Sequence, residues 1–239
     1  MSPSLKINEK YLRRMTGLKV SVVDSAKSTF DEIGSSDVII ACKQKLGFGR
    51  GDHTFFSPPG GIYMVMREEG LNIDAHTLTP AVGLAARDSI KSVLGLDTEL
   101  KWVNDVMYNG RKAAGILVRS PRRGEYLIGI GVNFSTDKFT LQKAGLEDAT
   151  SLCAPHEKAT DFCVNLIKRI HLAAISPFEH ERYSRLCRTV GKDVSFMSNG
   201  ARIVGHALSV ERDGSLLVKL GMATVAVDAG EVSIVREVD

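Results

Sequence analysis

Three short stretches combine residue types that, at their spacing, suit a negatively charged ligand. The first is Gln44-Lys45-Leu46-Gly47-Phe48-Gly49-Arg50-Gly51-Asp52-His53. Its clustered glycines permit a tight turn whose N–H groups can face an anion, and Arg50 adds a planar cation suited to phosphate. No Gly-Lys-Ser/Thr follows and the G-x-G-x-x-G spacing is absent, so neither a P-loop nor a dinucleotide fingerprint is present. The second is Lys101-Trp102-Val103-Asn104-Asp105, followed across a turn by Lys112-Ala113-Ala114-Gly115-Ile116-Leu117. It sets the single tryptophan of the chain beside Lys, Asn and Asp in a strand expected to be largely buried, where charges are seldom found without partners. The third is Ile128-Gly129-Ile130-Gly131-Val132-Asn133. Alternating glycines weaken an apolar strand unless something flat must approach the backbone closely. Each stretch also has a plainer reading: a structural glycine turn, an Asx turn at Asn104-Asp105, a solvated hairpin lysine at 112, and a bulge at 129–131.

The surrounding pattern supplies elements to position these groups. Leu18–Val23, Val38–Ala41 and Gly61–Met66 read as strands, and Ser28–Ile33 as a short helix ending at Gly34. The rhythm of Leu78, Val82, Ala85, Ala86, Ile90, Val93 and Leu94 predicts a helix that stops near Gly95. Leu100–Val103, Ala113–Val118 and Tyr126–Val132 read as strands joined at Asn109-Gly110 and Arg123-Gly124. Helices follow over Ala159–Ile175 and Phe178–Cys187. After Gly191 come Val194–Met197, Arg202–Glu211, Leu216–Leu220 and Thr224–Asp228, short alternating strands with turns at Asn199-Gly200, Asp213-Gly214 and Ala229-Gly230. The expected fold is therefore α+β: a mixed, largely antiparallel sheet backed by helices over 1–188, then a small β-barrel over 189–239.

Composition narrows the function. With 239 residues, 44% hydrophobic and 25% charged, the chain can bury a full core. A net charge of +3 without Lys/Arg clusters argues against a nucleic-acid partner. Cys42, Cys153, Cys163 and Cys187 have no metal-ligand spacing and read as thiols of a reducing compartment, the cytoplasm. No signal-peptide run and no bilayer-length apolar stretch occurs, so no membrane association is expected. An exposed strand such as Val38–Cys42 or Tyr126–Val132 leaves open a homodimer, or docking of a partner by strand addition.

Taken together the motifs resemble those of the biotin-protein ligases, in the same order. They are Gln44-x-x-Gly47-x-Gly49-Arg50, Phe56-Ser57-Pro58-x-Gly60-Gly61, Lys101-Trp102-x-Asn104-Asp105, Lys112-x-x-Gly115-Ile116-Leu117 and Gly129-x-Gly131-x-Asn133. The resemblance implies a class II synthetase-like catalytic domain and an SH3-like C-terminal barrel, ending here in Gly230-Glu231-Val232-Ser233. It also implies the short class lacking an N-terminal DNA-binding domain, since the chain begins close to its first catalytic strand. The implied activity is adenylation of biotin by ATP with Mg²⁺, then transfer to a lysine of a biotin carboxyl carrier protein.

By the same resemblance Gln44 and Gly47 border the biotin rings, Gly115 and Gly129 give backbone access, and Phe48, Gly49 and Arg50 form the loop that closes over the adenylate. Lys112 corresponds to the lysine touching both the biotin carboxylate and the α-phosphate, making Lys112 and Arg50 the catalytic candidates. Trp102, Asn104, Asp105 and Asn133 fall to the nucleotide, with Asp105 a candidate Mg²⁺ ligand. Departures occur as well. The family's Ser-Thr-Asn is replaced by Asp24-Ser25-Ala26-Lys27, so Ser25, Ala26 and Lys27 are expected at the biotin, with Ser28 or Thr29 as alternatives to Ser25. The glycine loop reads GFGRGDH where many members have GRGRRG, KWPND reads KWVND, and Phe55 replaces a tryptophan. A lipoate-protein ligase and a non-catalytic biotin sensor are the competing readings.

Overall fold

The computed structural model describes residues 5–51, 53–71, 73–198, 200–228 and 232–235. A seven-stranded sheet is built from β1 (Val20–Val23), β2 (Val38–Ala41), β3 (Ile62–Glu69), β4 (Glu99–Lys101), β5 (Asp105–Tyr108), β6 (Arg111–Arg122) and β7 (Glu125–Val132). Its order is β1-β2-β3-β7-β6-β5-β4. Only β1 and β2 run parallel, a pairing that needs a crossover rather than a tight turn. The short helix α2 (Thr29–Glu32) lies in that crossover, capped by Ser28 Oγ. Asn109 (φ 50°) and Gly110 (φ 75°) turn β5 into β6 with both residues left-handed, the combination a type I′ hairpin requires.

Two helices cover one face of this sheet. α3 (Ala75–Leu94) starts at Asp74, whose side chain accepts from His76 N at 2.8 Å, and stops at Gly95 with φ 73°. α5 (Ala159–Ile175) packs beside it. Because strand side chains alternate, Ile40, Met64, Met66, Ile128, Ile130 and Val132 all meet Val82, Ala86 and Ile90 of α3 and Phe162, Leu166 and Ile170 of α5. The same alternation puts Gly129 and Gly131 on the other face. Register sets Gly131 opposite both Gly115 and Tyr63, and Gly129 opposite Leu117 and Val65. A small satellite core of Ile33, Ile39 and Val65, with Phe30 and Leu127, also lies on that face.

A second, wholly antiparallel sheet follows: β8 (Asp193–Ser198), β9 (Ala201–Val210), β10 (Leu216–Leu220), β11 (Ala223–Val227) and β12 (Ser233–Ile234), in the order β11-β10-β9-β8-β12. Its inward residues Val194, Ala207, Val210, Leu216 and Val218 belong to the same hydrophobic cluster as α3 and the first sheet. The remaining helices are α1 (Glu9–Thr16), α4 (Lys138–Lys143) and α6 (His180–Leu186).

The structure corrects three expectations. The strand expected to run through Val103 stops at Lys101, and Trp102–Asn104 form a turn before β5. Trp102 is drawn out of the ladder because its amide donates to Thr189 Oγ1 (3.1 Å) and its indole to the Gly214 carbonyl (2.9 Å). The strands offered for dimerisation or docking, Val38–Cys42 and Tyr126–Val132, lie mostly in β2 and β7. Both are interior strands with neighbours on each side, so the sheet edges are β1 and β4. Finally, α1 lies where the sequence reading places no element: it is a short, highly charged helix with Leu12 as its one buried residue. The Ala229-Gly230 turn, Gly230-Glu231 and Asn199 lie outside the described residues.

Candidate active site

A cavity of about 340 Å³ opens over Gly115, Gly129 and Gly131, within the range of small-molecule sites. Arg50 and Lys112 both line it, although they arrive from a loop and a strand 62 residues apart in sequence. Phe48, Gly49, Trp102, Asn104 and Asp105 line it as well.

The glycine loop is a small hairpin. Phe48 pairs with Thr54, Gly49 N donates to the His53 carbonyl at 2.8 Å, and Phe55 N donates to the Gly47 carbonyl at 2.8 Å. Its base is fixed by Gln44, whose Oε1 accepts from Thr29 N (2.8 Å) and Thr29 Oγ1 (2.9 Å). The Gln44 amide nitrogen donates to Ser57 Oγ at 3.0 Å, and Ser57 Oγ donates to the Phe55 carbonyl at 2.8 Å. Gly47 is bare because a Cβ there would stand 2.5 Å from Ser57 Oγ within this network.

Lys112 folds back over its own strand. Its Nζ forms an ion pair with Asp105 Oδ1 at 2.6 Å and sits 5.7 Å from the centre of the Phe55 ring. Gly115 permits that path, since a Cβ would lie 3.0 Å from Lys112 Cε. Asn104 is clamped across the hairpin: its Nδ2 donates to the Ile116 carbonyl at 3.1 Å while Ile116 N donates to the Asn104 carbonyl at 2.8 Å. Two phenyl rings lie on the remaining glycines. Phe55 covers Gly131, where a Cβ would meet the ring at 2.5 Å, and Phe30 covers Gly129. Tyr63 also lines the cavity, its hydroxyl donating to the Pro58 carbonyl at 2.8 Å. Burial pushes that phenol well above its ordinary pKa, so it stays protonated.

Not every residue expected at the site lines the cavity. Ser25, Ala26, Lys27 and Gly47 do not; Ala26 instead pairs with Gln44, and Leu46 N donates to the Lys27 carbonyl at 2.8 Å, bracing the loop from outside. Thr29, one of the alternatives to Ser25, is the hydroxyl on the cavity wall. Asn133 is buried behind it. Its Nδ2 donates to the Thr150 carbonyl at 3.1 Å, and Thr150 N donates to the Lys112 carbonyl at 2.8 Å, so it backs the strand that carries Lys112. Phe30, Tyr63 and Val232 line the cavity without having been anticipated. Phe30 and Tyr63 share the period of their neighbours with ordinary core residues, and Val232 arrives from more than 100 residues away.

Comparison with known proteins follows from this geometry. The model of the biotin/lipoate A/B protein ligase family matches residues 19–135, the span that holds the loop, both cations and all three floor glycines. That segment of the chain carries the family's domain. Among members of related sequence, the bifunctional ligase/repressor BirA of Escherichia coli K12 is 27% identical over 95% of this chain and 77% of its own length. The biotin acetyl-CoA-carboxylase ligase of Mycobacterium tuberculosis is 30% identical over 66% of this chain and 62% of its own. The fold is that of the biotin protein ligase of Aquifex aeolicus, solved in complex with biotin and ATP, at a TM-score of 0.76. That match has 18% identity and covers 92% of this chain and 99% of that one. No described helix is long and apolar enough to cross a membrane.

Proposed function

We infer that the chain is a biotin-protein ligase that adenylates biotin with ATP and transfers it to a lysine of a biotin carboxyl carrier domain. The observation that carries this reading is that Arg50 and Lys112 line one cavity, whose floor of glycines is covered by the Phe30 and Phe55 rings. Two anions have to approach each other in the first step, so fixed cations at the point of contact lower its barrier. A carboxylate oxygen of biotin attacks the α-phosphorus of ATP, the bond to the β-phosphate oxygen breaks, and pyrophosphate leaves. The acceptor lysine amine then attacks the acyl carbon of the mixed anhydride, AMP departs with the bonding electrons, and the amine loses a proton.

On this reading Lys112 meets both the carboxylate and the α-phosphate, while Asp105, 2.6 Å from Nζ, pairs with it and fixes its direction. Arg50 and the N–H groups of the glycine loop face the phosphate. Thr29 and Gln44 face the polar end of biotin, and Phe30, Phe48 and Phe55 supply apolar walls. Among the described lining residues Asp105 is the one carboxylate. That donor set suits Mg²⁺, which keeps several waters and takes one or two carboxylates beside the phosphates. When bound, it neutralises phosphoryl oxygens. Cys153, Cys163 and Cys187 are thiols rather than disulfides, which supports a cytoplasmic setting. We treat residues 189–239 as a second unit docked on the first.

Incubation with biotin, Mg-ATP and an apo carrier domain tests the reading, with intact mass as readout. A gain of one biotinyl group on the carrier is expected. Modification by lipoate but not biotin would move the chain to lipoate ligation, and absence of pyrophosphate release with either acid would leave a binding protein.

A further inference from the structure

Phe48 occupies a loop position where the resembling family commonly has arginine, and its ring has acquired a cation from elsewhere. The guanidinium of Arg119, on β6, lies 4.3 Å from the centre of the Phe48 ring and 4.7 Å from that of Phe30. The two rings meet edge to face at 6.3 Å, 70° between planes, so one cation serves both. Phe48 belongs to the glycine loop, Phe30 to α2 and Arg119 to the sheet: three separate elements converge on one point. Phe48 and Phe30 line the cavity, and Arg119 is not among its lining residues.

We propose that Arg119 is a positioning residue, a cation–π latch that holds the glycine loop against the sheet and so sets how long the adenylate stays bound. The rungs at Phe48–Thr54 and Gly49–His53 are internal to the loop hairpin and give it shape without tying its Phe48 strand to β6. The Arg119 contact does tie it. Each cation–π contact at an exposed site is modest, yet two on one guanidinium, plus the edge-to-face ring pair they orient, shift a loop equilibrium by about tenfold. The lifetime half of this inference rests on the ligase reading; the latch itself does not.

The test compares wild type with Arg119→Gln, which removes the cation at similar length, and Arg119→Lys, which keeps it. Amide exchange across 47–55 in the ligand-free protein is expected to quicken about tenfold in R119Q and to recover partly in R119K. Unchanged exchange overturns the latch whether or not the protein ligates biotin. After loading with biotin and Mg-ATP, escape of biotinyl-5′-AMP is expected to quicken by the same factor in R119Q, with the pyrophosphate burst unchanged. Wild-type escape overturns the proposal. So does a burst that collapses as in a Lys112 variant, because Arg119 would then belong to the anion-binding machinery. If wild type forms no adenylate, the ligase reading has failed, and the exchange arm still decides the latch.

Discussion

Lys112 reaches the cavity only because Gly115, three residues on, offers no side chain to block its path back across the strand. Its ammonium is held by the Asp105 carboxylate and the Phe55 ring, contacts that fix its direction. Arg50 comes instead from a turn that hydrogen-bonds chiefly within itself. The two cations should therefore fail differently when removed. Lys112→Ala is expected to keep its fold and lose pyrophosphate release by about 10²–10³, the usual cost of one preorganised donor. Arg50→Ala is expected mainly to let the adenylate escape, seen as labelling of bystander lysines. Equal loss of the burst in both variants would mean that the loop acts in chemistry rather than in retention.

At the scale of elements, the turn joining β9 to β10 ties the second sheet to the first. Gly214 has φ 86°, and its carbonyl accepts from the Trp102 indole at 2.9 Å. On its other side it presses against His76 in the first turn of α3, where a Cβ would come 2.5 Å from the His76 carbonyl oxygen. Pro80, four residues after His76, has no N–H to offer that oxygen, so the helix itself leaves it open on the ladder side. Thr77 Oγ1 adds a bond to the Asp213 carbonyl at 3.1 Å. Gly214→Ala should therefore cost about 1–3 kcal/mol for backbone strain, with a steric penalty added. Gly221→Ala has a positive φ of 60° and nothing within 4 Å, and should cost about 1–2 kcal/mol for the left-handed backbone alone, without the steric penalty. Urea unfolding followed by the single tryptophan separates them, since Trp102 is the side chain that loses its partner. Equal losses would show that the turn does not dock as described.

For the molecule as a whole, the division near residue 188 predicted from strand texture coexists with a core that crosses it. Val194, Ala207, Val210, Leu216 and Val218 share one hydrophobic cluster with Leu100, Trp102 and Val106. Neither sheet can expose that surface cheaply, since each Å² of apolar area returned to water costs about 25 cal/mol. A single transition is therefore expected in urea, with tryptophan fluorescence and far-ultraviolet circular dichroism coincident. Two separated midpoints would show that the C-terminal sheet melts on its own.

Local pattern by itself determined the strands β1, β2, β3 and β6–β11, the helices α2, α3, α5 and α6, the Asn109-Gly110 hairpin and the set of motifs that carry the resemblance. Each is written within a few residues, as a period, a cap or a turn with φ above zero. Tertiary structure decided the rest. That Thr29 rather than Ser25 stands on the wall depends on how the α2 crossover lies over β2 and β3. That Asn133 backs the strand of Lys112 instead of lining the cavity depends on the 148–152 segment pairing beside β6. The glycines at 129 and 131 signalled a close approach, but only packing shows that Phe30 and Phe55 lie there. A residue's own chemistry travels with its sequence. Which neighbour it meets is fixed by long-range contacts that no local window contains.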